Sequence, residues 1–127
     1  MDSHERLSGI QIYWSDGDSG RIREMKFRLA DVDAPETGSL NQRGGARCEA
    51  ERELGYKAEE FMVEMTRDSK IEIICDYGTD RWDRHLIELA VNDTNIAYLA
   101  LAAGHLRPGP HEGTRALSPK PDWCAKD

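Results

Sequence analysis

The chain is short of cysteine. It has Cys48, Cys75 and Cys124, an odd and widely spaced set, and without a close C-x-x-C pair these exclude the usual structural zinc site. No apolar run approaches the ~20 residues that a membrane-spanning helix needs, so no membrane partner is expected. Met1-Asp2-Ser3-His4-Glu5-Arg6 lacks the basic start and apolar stretch of a secretory leader. A leader removed earlier would leave no trace, so the compartment stays open: secreted or periplasmic with one, otherwise cytoplasmic. Positive charge is also scarce, with 17 Lys and Arg against 24 Asp and Glu and a net charge of −7. Proteins that hold polyanions through bulk charge carry basic patches, and that mode is excluded here. There is no internal repeat and no histidine cluster. His85 reads as a strand residue and His4, His105 and His111 as exposed or terminal, so none is given a catalytic role.

At 127 residues, with 39% hydrophobic and 32% charged side chains, the chain reads as one soluble globular domain over 1–127. Its core spans about 7–108 and an irregular tail runs over 109–127. The alternation Ile10, Ile12, Trp14 predicts a half-buried strand from Leu7 to Trp14, ended by the turn residues Ser15-Asp16-Gly17-Asp18. Short strands follow over Gly20 to Arg23 and Lys26 to Val32, where Pro35 stops pairing. Gly38 to Arg47 reads as a loop. Ala50, Leu54, Ala58, Phe61, Met62 and Met65 recur at helical spacing from Cys48 to about Arg67, with the glutamates Glu49 to Glu64 on a solvated opposite face. Gly55 inside this helix costs about 1 kcal/mol against alanine, a mark of close packing. Lys70 to Cys75 and His85 to Val91 are strands. Asn95 or Thr94 caps a helix from Ile96 to Ala103, and Gly104 suits its left-handed end. Cys75 ends a strand pattern and reads as a buried thiol. Cys48 and Cys124 can pair if the tail folds back over the helix start, which would imply an oxidising compartment. The predicted class is α+β: a five-stranded OB-fold Greek-key β-barrel with two to three packed helices.

Three stretches carry chemistry: Asp16-Gly17-Asp18-Ser19, Phe27-Arg28-Leu29 leading to Asp31-Val32-Asp33-Ala34-Pro35-Glu36-Thr37, and Asp80-Arg81-Trp82-Asp83-Arg84. Separated carboxylates and two arginines are the inventory for holding a hard divalent cation and clamping a phosphodiester around it. Singly, each has a bland reading: a turn, a capping aspartate, a surface ion pair, a packed rim tryptophan. The order and spacing of all three make the constellation.

In that order the motifs D-G-D-S, F-R-L-x-x-V-D-A-P-E-T and D-R-W-D-R resemble the staphylococcal nuclease (thermonuclease) family, over roughly Leu7 to Pro108. The resemblance implies an OB barrel capped by helices and calcium-dependent hydrolysis of DNA and/or RNA to 3′-phosphate products, acting as a monomer, with single-stranded or locally melted substrate favoured. It places metal on Asp18, Asp33 and the backbone carbonyl of Ala34, with Asp16 supporting them from behind. Glu36 is matched to the residue that activates water, and Arg28 and Arg84 to the arginines on the scissile phosphate. Arg81 and Trp82 fall where a cation and an aromatic ring meet nucleotide phosphate and base. Asp18 and Asp33 are expected on adjacent barrel strands. Three departures point to weaker, more salt-sensitive substrate binding. Asp83 stands where a glycine is common, the hairpin between Asp18 and Arg28 is short, and Pro108-Gly109-Pro110 replaces a tyrosine after the last helix. The rival readings are a non-catalytic OB module that binds nucleic acid or protein, and an accessory role in surface-polysaccharide production. The second is suggested by the likeness of Cys48-Glu49-Ala50-Glu51 and Trp123-Cys124 to bacterial relatives.

Overall fold

The structure is a computed structural model that describes residues 5–6, 11–40, 42 and 44–124. The first part of the strand expected over 7–14, His4, and two residues of the loop expected over 38–47 lie outside the described residues. Described in chain order are β1 (Glu5–Arg6), β2 (Ile12–Trp14), β3 (Ser19–Ile22), β4 (Met25–Leu29), β5 (Val32–Asp33), α1 (Glu49–Thr66), β6 (Ile71–Thr79), β7 (His85–Val91), β8 (Thr94–Asn95), α2 (Ile96–Ala102), β9 (Arg107–Pro108), β10 (His111–Glu112) and β11 (Arg115–Ala116).

Strand pairing follows the side-chain pattern. In β2, Ile12 and Trp14 are buried while Tyr13 between them faces out, the period of two that makes one sheet face apolar. The main sheet runs β1-β6-β7-β4-β3-β2, with β8 beside β7. All its pairs are antiparallel except β4 with β7, where Phe27 lies opposite His85. The path begins at β1 and ends at β2. Among the described residues this sheet has seven strands, and with the two helices it makes an α+β fold of the OB type. Trp14 and Phe27 meet edge to face with centroids 5.2 Å apart, and Trp14 Nε1 donates to Thr66 Oγ1 at 3.1 Å. That hydrogen bond ties the end of α1 to the barrel.

Several elements depart from their sequence-predicted form for local reasons. The strand expected from Lys26 to Val32 stops at Leu29, since Asp31 sits at φ 64°, a left-handed turn that ends the ladder. Val32–Asp33 then pairs with β9, off the main sheet. The strand expected to end at Cys75 continues to Thr79, because backbone pairing of Asp76 with Ile87 and Thr79 with His85 needs no apolar side chain. Cys75, mid-strand, is therefore only half-buried. In α1 the buried residues are Glu51, Gly55, Ala58, Met62 and Thr66. Ala50 and Leu54 are exposed, since the first turns of the helix face the loop after β5 rather than the barrel core. Asn95 caps α2 through its Oδ1, which accepts from Ala97 N–H at 2.9 Å, and Gly104 follows at φ 81°. The tail past Pro108 is less irregular than expected. β10 and β11 form a hairpin, anchored where His111 N–H donates to Asp31 Oδ1 at 2.9 Å. His111 is half-buried by this contact, and His105 is half-buried against the Phe61 ring, 4.7 Å between centroids.

Candidate active site

Asp16-Gly17-Asp18-Ser19 is a turn organised by one carboxylate oxygen. Asp16 Oδ1 accepts from Asp18 N–H at 3.0 Å, Ser19 N–H at 2.9 Å and Ser19 Oγ at 2.9 Å, the local pattern by which aspartate fixes a turn. Gly17 is required by packing, since a Cβ there would lie 2.8 Å from the Cβ of Ala58 in α1. The turn is thus pressed against the helix, and Asp18 points inward, 6% exposed. Its Oδ2 accepts from Ala34 N–H at 3.0 Å and lies 3.4 Å from Arg28 Nη2. Burial and the neighbouring Asp16 carboxylate push the Asp18 pKa up to about 7, against the opposing pull of Arg28 and Lys120. Desolvation outweighs the ion pair.

The segment Ala34-Pro35-Glu36 is held from behind by α1. A Cβ on Gly55 would meet Glu36 O at 2.5 Å and Pro35 O at 3.0 Å, so glycine is what lets the helix approach this backbone. Glu51, 0% exposed, accepts from Glu36 N–H at 3.1 Å through Oε2 and from Arg47 N–H at 2.9 Å through Oε1. Sequence reasoning set Glu51 on the solvated face. It is instead a buried clamp, paying its desolvation with two backbone donors. Gly55 and Glu51 lie four residues apart on one helical face and together fix where Glu36 begins.

Arg28 reaches from β4 to both aspartates, its Nη2 lying 3.4 Å from Asp18 and 3.8 Å from Asp33. Its Nη1 donates to the carbonyl of Leu29 at 2.8 Å. Asp18 and Asp33 thus share one guanidinium nitrogen, although they lie in a turn and on β5 rather than on adjacent barrel strands. Opposite them stands a residue that sequence reasoning missed. Lys120 Nζ donates to Asp33 Oδ1 at 2.9 Å, Ala34 O at 3.1 Å and Glu36 Oε1 at 2.6 Å. Burial pushes the Glu36 pKa up, while Lys120 pulls against it.

Arg84 belongs to a separate construction. Asp80 Oδ1 accepts from the N–H groups of Trp82 and Arg84, and Asp80 Oδ2 accepts from Arg84 Nε at 2.9 Å. Burial alone would raise the Asp80 pKa, but these donors outweigh it and hold the carboxyl below its ordinary value. Asp83 sits at φ 62°, which explains why glycine suits the position and why aspartate, tolerant of the left-handed region, can replace it. Trp82 is 57% exposed, with the Arg81 guanidinium 4.3 Å and that of Arg84 5.2 Å from its ring centroid. Arg84 also lines an open cleft of about 280 Å³ with Ser19, Tyr13 and Arg21. The cleft reaches the residue next to Asp18.

Asp33 Oδ1, Ala34 O and Glu36 Oε1 all accept hydrogen bonds from the Lys120 ammonium. Oxygen donors that share an ammonium in this way suit a hard divalent ion. Among the described residues no three His, Cys, Asp or Glu side chains are grouped so as to hold a metal ion by themselves. No helix among the described residues is long and apolar enough to cross a membrane. Residues 26–106, more than half of the chain, match the family described as staphylococcal nuclease homologue. The matched stretch holds Arg28, Asp33, Glu36 and Arg84 and begins after Asp18. No curated protein matches the chain.

Proposed function

The chain belongs to the staphylococcal nuclease homologue family, and on that premise we propose that it is a calcium-dependent nuclease, hydrolysing DNA and/or RNA to 3′-phosphate products. The observation that supports this reading is that Asp33 Oδ1, Ala34 O and Glu36 Oε1 are gathered around one ammonium, that of Lys120, beside Asp18 and Arg28. Asp18, Asp33 and the Ala34 carbonyl would hold calcium, with Asp16 fixing the turn that presents Asp18. When bound, calcium supplies Lewis-acid charge to the phosphoryl oxygens.

The protein groups have separable tasks. Glu36 takes a proton from the attacking water at its carboxylate, whose raised pKa suits a general base. Attack at phosphorus breaks the bond to the 5′ oxygen, which takes a proton from solvent water and leaves as a hydroxyl, and the phosphate stays on the 3′ side. Arg28 and Arg84 stabilise the charge that grows on the phosphoryl oxygens. Arg84 is pre-oriented by Asp80, so little side-chain freedom is lost when phosphate arrives. Trp82, open to solvent and flanked by Arg81, offers a stacking face to an unpaired base, worth about 1–3 kcal/mol in single-strand binders. An exposed face of this kind favours single-stranded or locally melted substrate.

A plasmid and oligonucleotide cleavage assay in calcium, magnesium or excess chelator tests the reading. Calcium should support cleavage best, since magnesium demands a stricter octahedron and dehydrates reluctantly. Equal cleavage in chelator would defeat the metal assignment. Binding of oligonucleotide without cleavage in any metal would make the chain a binding module.

A further inference from the structure

Lys120 lies beyond the residues that the family match covers, in the tail after the β10–β11 hairpin, yet its ammonium is at the centre of the site. It contacts an oxygen of each of Asp33, Ala34 and Glu36, including two of the oxygen donors assigned above to calcium and the carboxylate assigned to the base. A cation cannot settle on the Asp33 and Ala34 oxygens while the ammonium holds them. The placement of Lys120 is built into the tail. Cys48 and Cys124 are bridged, with Cα atoms 6.2 Å apart, which fixes the chain four residues beyond Lys120 to the N-cap of α1. Arg47 donates to Pro121 O at 3.0 Å and Arg107 to Asp122 O at 3.2 Å. Trp123 is buried with the Arg107 guanidinium 4.1 Å from its ring centroid.

The same tail keeps a way out. The Lys120 side chain is 35% exposed and sits on a flexible four-carbon stem, so the ammonium can swing to solvent without unseating the backbone. The docking is also imperfect, because Trp123 Nε1 is buried without a hydrogen-bond partner among the described residues. An orphaned donor weakens the seat that holds it.

We propose that Lys120 is a tethered occupant of the cation site, which a divalent ion must displace, and that the Cys48–Cys124 bridge keeps the ammonium close enough to compete. The inference rests on the calcium reading above. A tethered group competes at an effective concentration set by its linker, in the millimolar range for short links. Where the competent, lysine-out state is about a tenth of the population, apparent calcium affinity is about tenfold weaker than the bare site would show. Displacement also frees the Glu36 carboxylate, so the occupant blocks metal and base together.

The experiment is calorimetric titration of the full chain with calcium chloride under non-reducing conditions. Lys120→Met should bind calcium about tenfold more tightly than the parent, and Lys120→Arg should stay near it. Cys124→Ser keeps every charge but loosens the tether, and should tighten binding by a smaller factor. The helix-surface variant Lys57→Met gauges bulk charge alone, which screening should hold to within about twofold. If Lys120→Met gains nothing, or gains no more than Lys57→Met, occupancy is wrong while the calcium reading stands. An unchanged affinity in Cys124→Ser overturns the role of the tether. If neither parent nor Lys120→Met binds calcium at millimolar concentrations, the calcium reading itself falls and takes this proposal with it. Should Lys120→Met be unstable without metal, the calcium-induced rise in melting temperature decides. A larger rise than in the parent supports occupancy, and an equal one overturns it.

Discussion

Replacing Gly55 with alanine sets two opposed effects against each other in one residue. Gly55 lies inside α1 at an ordinary helical φ, so alanine brings no backbone strain and should by propensity alone add about 1 kcal/mol to the helix. The new methyl, however, would stand 2.5 Å from Glu36 O and 2.8 Å from Glu36 C. Ordinary contact begins near 3.4 Å, so helix and loop must part by nearly 1 Å, and the obstructing atoms are backbone that no rotamer can move aside. Overpacking of this kind costs about 1–3 kcal/mol. Net stability should therefore fall by up to about 2 kcal/mol, read as a lower urea midpoint at unchanged slope. The larger effect should be on turnover. The loop that retreats carries Glu36, and a misplacement of about 1 Å in a reacting group costs on the order of 10²-fold. Oligonucleotide cleavage at saturating calcium measures it. A variant about 1 kcal/mol more stable than the parent that cuts at the parental rate would show that α1 does not position Glu36.

Three further outcomes are expected. Calcium affinity should rise about tenfold per pH unit up to about pH 7 and then level off, because metal must displace the proton that burial and Asp16 keep on Asp18. Since the folded carboxyl titrates above its unfolded value, the metal-free fold should also lose stability as pH rises from about 4 to 7; titration calorimetry and urea melts across that range check both signs. Cys124→Ser should lower stability by about 2–4 kcal/mol, toward the upper end because the bridge closes a sequence separation of 76 residues, as non-reducing denaturation would measure. Arg28→Ala, Arg84→Ala and Glu36→Gln should each lower kcat by about 10²-fold or more, whereas Trp82→Ala should mainly raise KM, since stacking precedes the transition state. Parental rates in all four would return the chain to the binding-module reading.

Much of this fold is local and therefore legible in residue order. The strand His85–Val91 follows from its nearly continuous apolar run and the second helix from the Asn95 cap, which acts two residues away. The turn at Asp16–Ser19 is likewise written in one carboxylate and its nearest N–H donors. The burial of Glu51 is not legible, because a glutamate on a glutamate-rich helix has the same periodicity whether it meets water or two backbone donors. Gly55 is legible only as an irregularity, a helix breaker whose reason lies 19 residues back in sequence, at Glu36.

By itself the sequence determined which groups are available: the aspartates and Glu36, the two arginines, a tryptophan beside Arg81, and a net negative charge that excludes binding through bulk positive charge. Only tertiary structure decided that β5 leaves the main sheet, that the buried face of α1 positions Glu36, and that Lys120 returns across 84 residues to the site. The physical reason is range. Propensity, capping and alternation act over a few residues. The position of a charge depends on what surrounds it after folding, and a lysine in a polar tail carries no local sign of the carboxylates it will meet.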